Sequence, residues 1–325
     1  MGDIATFGTT ATGVLVRKIT LRTGDLTVGL LTWGAVLQSV RLQGVAHDLT
    51  LGSDHLADYE GDMRYHGSLI APVVNRLTGA RAMIDGRETR FQANQDGIHC
   101  LHSGTAGTHL KVWDLVSASD SEAVLALDLP AGEGGFPGNR RVEARFTLTA
   151  PATLRMDITA STDAPTLFNA ANHSYWNLDG SDQWGGHSVQ VPADQYLPTN
   201  ADHTPTGEIL DVAISGLDFR RAHVITPTNP PLDNCFCLGT ARGALRHAVT
   251  LTGQTGVTLQ VATTETGVQL YDGRFATRPG RTPYEGIAIE AQSWSDAPNH
   301  AGFPSIELHP GAPVCQTTEW QFRQA

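Results

Sequence analysis

Between Val142 and Ile158 the chain alternates apolar and polar residues one by one, and this period of two constrains the fold more than any other feature. Val142, Ala144, Phe146 and Leu148 are interleaved with Glu143, Arg145, Thr147 and Thr149. Successive side chains on a strand point to opposite faces, so the pattern predicts a half-buried β-strand. After a turn around Pro151, Leu154, Met156 and Ile158 repeat it, which makes the pair a hairpin. Val257, Leu259 and Val261 carry the same signature. Asp85-Gly86, between Arg81–Ile84 and Arg87–Phe91, supplies the positive φ angles of a type I′ hairpin turn. Helical periodicity is confined to Ser53–Glu60, with Ser53 as the expected N-cap. The 34 glycines and 17 prolines are dispersed, with no linker, repeat or low-complexity segment. The expectation is a single all-β domain over residues 1–325, either a large sandwich or a barrel.

The charge balance narrows the partners. With 22 basic and 33 acidic residues the formal net charge is −11. A nucleic-acid or anionic-membrane partner calls for a basic surface and is disfavoured; a neutral small molecule is not. No run of about 18 apolar residues is present, so no helical membrane span is expected. The N-terminus lacks a basic segment followed by an apolar one, and a cytoplasmic location is the natural expectation. The four cysteines include no Cys-x-x-Cys pair, which argues against a structural zinc site.

Polar residues with chemical potential gather in a few segments. In Ile287–Gln292, Ile287, Ile289 and Ala291 face one side of a strand, and Ala288, Glu290 and Gln292 the other. Either that second face is solvated, or Glu290 lines a polar groove beside Trp294 as an aromatic platform. In the stretch from Asn169 to Leu178, an extended backbone puts Asn169, His173 and Tyr175 on one face, and His173 reads as a structural residue or as an acid or base. His99 and His102 are too few for a metal site, which needs three or more ligands. His102, next to Ser103-Gly104, reads as a neutral hydrogen-bonding group in a loop. Arg76 closes an apolar strand and is open to a structural ion pair or to ligand contact. Asp233 sits at a strand entry, where capping a turn is the simplest role. No phosphate loop or nucleophile elbow is present.

Taken together these segments resemble the aldose 1-epimerases, also called galactose mutarotases. Asn75-Arg76-Leu77 resembles the family's Asn-Arg-Ile block, and Leu101-His102-Ser103-Gly104 its Leu-His-Gly-Gly loop. Gly134–Gly138, Asn172–Leu178, Pro205-Thr206-Gly207, Asp233, Gly267–Tyr271, Glu290-Ala291-Gln292 and Asp296–Asn299 follow in the family order along nearly the whole chain. The resemblance implies an antiparallel β-sandwich of the galactose mutarotase-like supersandwich type. It also implies a cofactor-free, metal-free isomerase that interconverts the anomers of a free hexose, and a monomer or a homodimer. Glu290 matches the general base and His173 the general acid. Asn75, Arg76, His102, Asp233 and Gln269 match positions that bind the sugar. The nearby carboxylate is expected to favour the imidazolium form of His173. Departures fall at Ala71-Pro72, Ser103-Gly104, Trp176 and Ala291, none of which removes a proposed acid or base. A hexose-6-phosphate epimerase would want extra basic residues, and a non-catalytic sugar-binding protein is the third reading.

Overall fold

The computed structural model describes residues 2–324, and strands dominate it. The largest sheet has nine antiparallel strands in the order Asp114–Ala118, Glu122–Leu129, Arg140–Thr149, Thr153–Thr162, Val314–Arg323, Thr258–Thr263, Arg246–Thr252, Ser188–Gln190 and His223–Val224. The hairpin read from Val142 to Ile158 is present in full register, from Arg140↔Thr162 to Thr149↔Thr153. Arg81–Ile84 and Arg87–Arg90 form the second hairpin, with φ of 48° at Asp85 and 74° at Gly86 as the turn requires. A four-stranded meander, Asp3–Thr9 through Leu37–Leu42, and a six-stranded antiparallel sheet complete the layers.

One continuous apolar cluster joins these three larger sheets. It takes Leu21 and Val28 from the meander, Leu125, Phe146 and Leu154 from the nine-stranded sheet, and Val268, Leu270 and Ile289 from the six-stranded one. Sheets packed face to face over such a core make an all-β antiparallel sandwich. Cys100, Cys235 and Cys237 are buried free thiols, and Cys315 is an exposed one. No helix among the described residues is long and apolar enough to cross a membrane.

The six-stranded sheet positions the site. Its strands run Tyr175–Trp176, Ile287–Gln292, Gly267–Tyr271, Asp233–Cys237, Gln195–Leu197 and Leu210–Asp211. Val268, Leu270, Ile287 and Ile289 enter the core. By strand parity Gln269, Tyr271 and Glu290 face the other way, and the register aligns Gln269 with Glu290 and Asp233 with Tyr271. That second face is not solvated: all six residues of Ile287–Gln292 are buried. The segments around Tyr65 and His102 lie over it, with Tyr65 rings stacked near His173 and His66 against Tyr175.

The short helix forms later than its sequence suggests, over Leu56–Glu60, with His55 at the N-cap and no side-chain cap. Ser53 instead bonds the Asp58 carboxylate and accepts the His55 N–H at 3.1 Å, so its hydroxyl closes a turn ahead of the helix. Truncating Ile289, 1% exposed and back to back with Glu290, should lower stability by about 2–5 kcal/mol. Chemical denaturation of Ile289→Ala is the check; an unchanged midpoint would mean that this strand is not anchored through the core.

Candidate active site

On the covered face of the six-stranded sheet lies a cavity of about 490 Å3. Glu290 projects into it from the sheet, and His173 from the turn between the short strands Ala171–Asn172 and Tyr175–Trp176. The backbone fixes His173 on both sides: its N–H donates to the Ser68 carbonyl at 2.9 Å, and its carbonyl accepts from Gly67 N–H at 3.1 Å. His173 Nε2 then stands 3.5 Å from Glu290 Oε1. This is beyond a good hydrogen bond, so neither atom is committed to the other. Glu290 Oε2 and His173 Nδ1 are buried with no partner in the protein. Unsatisfied buried polar atoms are destabilising, and their collection here marks a site built for a guest rather than for stability.

Burial governs the protonation of the pair. It pushes the Glu290 carboxyl well above the usual range, Asp233 adds to that, and Arg76 opposes it. It also pulls His173 down to about 4, against its own backbone carbonyl and the Asp233 charge. The expected imidazolium is therefore corrected. Removing a charged ring from water outweighs the attraction of the nearby carboxylates. The chemical consequence is a carboxylate that is a stronger base than in water, beside an imidazole that, once protonated, is a stronger acid.

Asn75, Arg76 and His102 form a donor wall. Strands Arg76–Leu77 and Cys100–Leu101 pair and bring the three together. The Asn75 N–H donates to His102 Nδ1 at 3.1 Å, and burial holds the His102 ring far below its ordinary pKa. The ring is thus neutral, as its loop setting suggested, and the Asn75 bond places its proton on Nε2. Arg76 donates through Nε to Gln95 at 2.9 Å, which leaves its terminal nitrogens without a protein partner at the cavity wall. The structural ion pair considered for Arg76 is not formed.

Asp233 also lines the cavity, whereas Gln269, on the adjacent strand, is not among the residues that line it. The Gln269 amide donates to Asp233 Oδ1 at 2.7 Å, so it orients the carboxylate. Trp294 is not a platform for a ligand. It is 2% exposed, packed with Leu197, Cys235 and Cys237, and its indole N–H donates to the Thr266 carbonyl at 2.9 Å. Asn169 also leaves the site, bonded both ways to the Ser293 backbone. The aromatic surfaces that do line the cavity are Tyr65, Tyr175, Tyr271 and Phe275. Tyr175 lines the cavity with His173, their ring centroids 5.1 Å apart, although His173 sits in a turn rather than on the extended strand that the sequence suggested; Phe275 and His203 carried no sequence signal. His99 serves elsewhere, accepting from Gly79 N–H through Nδ1. No group of three or more His, Cys, Asp or Glu among the described residues is placed to hold a metal ion.

The family model described as aldose 1-epimerase matches residues 17–321. The chain belongs to the aldose 1-epimerase family. Galactose mutarotase of Rattus norvegicus is 32% identical over 96% of each chain, and aldose 1-epimerase of Escherichia coli 30% identical over 94% of this chain and 95% of its own. Among solved structures, an aldose epimerase homologue from C. elegans superposes with a TM-score of 0.88 at 26% identity, over 95% of this chain and 99% of that one. Galactose 1-epimerase of Lactobacillus acidophilus gives 0.86 at 25% identity, over 99% and 98%. The fold class is that of the galactose mutarotases, and the family is one of isomerases.

Four histidines around this epimerase cavity have folded pKa values below normal because they are buried: His66 and His109 at about 3, His173 at about 4, and His102 well below its usual value. Below the unfolded value of about 6.5 the unfolded chain binds protons that the native state refuses, so stability falls as pH drops from about 6.5 towards 4. Each group contributes up to about 1.4 kcal/mol per pH unit. Glu290, Glu265 and Asp48, shifted up, act in the opposite sense, but they are three groups against six, since burial also lowers His187 and His247. Urea midpoints measured between pH 7.5 and 5 should decline steadily; a flat profile would contradict neutral burial of the cluster.

Proposed function

We propose that this enzyme interconverts the α and β anomers of a free aldohexose such as galactose or glucose, with Glu290 as general base and His173 as general acid. The observation that carries the reading is the buried pair 3.5 Å apart at the floor of a cavity. Anomerisation moves two protons at adjacent oxygens of one hemiacetal. The reacting state has the proton of the pair on His173 and Glu290 ionised: Glu290 takes the proton from the C1 hydroxyl while His173 delivers its own to the ring oxygen, and the C1–ring-oxygen bond opens to the aldehyde. Rotation about C1–C2 presents the other carbonyl face, and closure with the proton transfers reversed yields the second anomer. Every atom and charge returns to its starting place, so the chemistry requires no redox partner.

The polarity of the cavity supports a neutral sugar as substrate. Asn75, Arg76 and His102 offer donors, Asp233 offers acceptors, and Tyr65, Tyr175 and Tyr271 offer ring surface. Asp62, Asp96, Asp202, Asp233 and Glu290 face the same space against one guanidinium, Arg76. A phosphate would meet repulsion from most of these carboxylates, which disfavours a hexose 6-phosphate.

Polarimetry on freshly dissolved α-galactose and α-glucose tests the proposal: the enzyme should speed the decay of rotation, and glucose 6-phosphate should be a poor substrate. Glu290→Gln and His173→Asn should each lower kcat by about 10²–10⁴, the usual contribution of an acid–base group. Wild-type rates in both variants would remove these roles, and efficient turnover of glucose 6-phosphate would overturn the substrate class.

A further inference from the structure

One wall of the cavity is a loop, 199–205, whose side chains none of the motif residues above explains. Ala201, Asp202 and His203 line the cavity from it. The loop is internally braced: Asn200 N–H donates to the Thr204 carbonyl at 2.8 Å, and Thr204 donates to Asp202 Oδ1 through its N–H at 3.1 Å and its hydroxyl at 2.6 Å. Two histidine–aspartate pairs then clamp it to the rest of the molecule. His99 Nε2 lies 3.3 Å from Asp202 Oδ2, and His203 Nδ1 lies 3.2 Å from Asp233 Oδ2. Because His99 Nδ1 already accepts from Gly79, the proton of the neutral ring sits on Nε2, the nitrogen nearer Asp202. The backbone at His203 is left-handed, with φ of 64°, an uncommon conformation for a residue with a side chain and one that recurs at functional positions.

The pair at Asp233 matters most. Gln269 occupies Oδ1 and His203 approaches Oδ2, so the carboxylate is held from both sides while its remaining lone pairs stay available. In the neutral tautomer protonated at Nδ1, the nitrogen nearer Asp233, Nε2 is the free nitrogen of the His203 ring and accepts from a hydroxyl. Asp233 stands two strands from Glu290, about 10 Å across the sheet. A hexose with C1 at Glu290 therefore presents its far hydroxyls to this wall.

We propose that His203 is a specificity-determining residue: with Asp233 it receives the hydroxyls remote from C1, and it sets which hexose this enzyme prefers. The inference rests on the mutarotase reading. Contacts to non-reacting parts of a substrate act on binding and selection rather than on proton transfer.

The test compares wild type, His203→Leu and His203→Asn with galactose, glucose and 6-deoxygalactose by polarimetry. Losing one hydrogen bond should raise KM for the preferred sugar about tenfold in His203→Leu, with kcat held within about twofold. The galactose-to-glucose ratio of kcat/KM should shift by at least about threefold. His203→Asn, which can donate to Asp233 and still accept, should recover part of both. Calorimetric titration of galactose into Glu290→Gln, with and without His203→Leu, should show Kd weakened by the same factor. KM and sugar ratio unchanged within about twofold, or kcat reduced equally for every sugar at constant KM, would overturn the assignment. A wild type that fails to speed mutarotation overturns the parent reading instead, and the calorimetric arm still reports whether His203 touches sugar.

Discussion

The rest of the structure depends on a carboxylate held out of water with one oxygen left unpaired. Glu290 is 2% exposed, and the residue beside it, Ile289, enters the main core. A slip of one residue in the pairing with Gly267–Tyr271 would turn Glu290 into that core and Ile289 into the cavity. The apolar side of the strand thus enforces the register that delivers the charged side. An unpartnered buried acceptor costs about 1–3 kcal/mol, and the large shared core beneath the sheet is what makes such a site tolerable.

The same burial organises the histidines. His102 and His99 each have one nitrogen occupied by a backbone N–H, from Asn75 and Gly79, which dictates where the remaining proton points. His173 is arranged differently: its backbone is pinned while its ring has no firm partner. A ring with a fixed tautomer suits recognition, since its donor does not change. One free to gain or lose a proton, next to a carboxylate made more basic by burial, suits chemistry. The cavity holds both kinds beside one tyrosine, Tyr65, whose ring centroid lies 4.7 Å from that of His102 and 5.8 Å from that of His173.

What the sequence revealed follows from how far a local pattern reaches. Period-two alternation records which side of a strand a residue takes, so the Val142–Ile158 hairpin, the Asp85-Gly86 turn and the facing of Glu290 were all legible. Alternation cannot say what covers the second face, and here that face is closed by segments as distant in the chain as those around Tyr65 and His102. It cannot say where a strand stops either: past Gln292 the chain leaves the ladder, and Trp294 turns into a separate cluster with Phe303. Gln269 has the right parity for the cavity yet spends its amide on Asp233, a choice made across strands. The charge state of His173 was misjudged for a related reason. Proximity of a carboxylate is suggested by sequence order, but desolvation arises only once the fold is assembled.

The site divides its labour along the sheet. The reacting pair sits where the strand Ile287–Gln292 meets the turn at His173, both fixed by backbone hydrogen bonds and by the core behind them. The remote wall is built from a loop whose position relies on side-chain pairs, His99 with Asp202 and His203 with Asp233. Proton transfer tolerates little displacement, whereas recognition of outlying hydroxyls can be retuned by exchanging one loop residue. A scaffold arranged this way keeps one reaction while its choice of sugar changes. The features peculiar to this chain are accordingly to be sought in the loop, and those of the chemistry in the sheet.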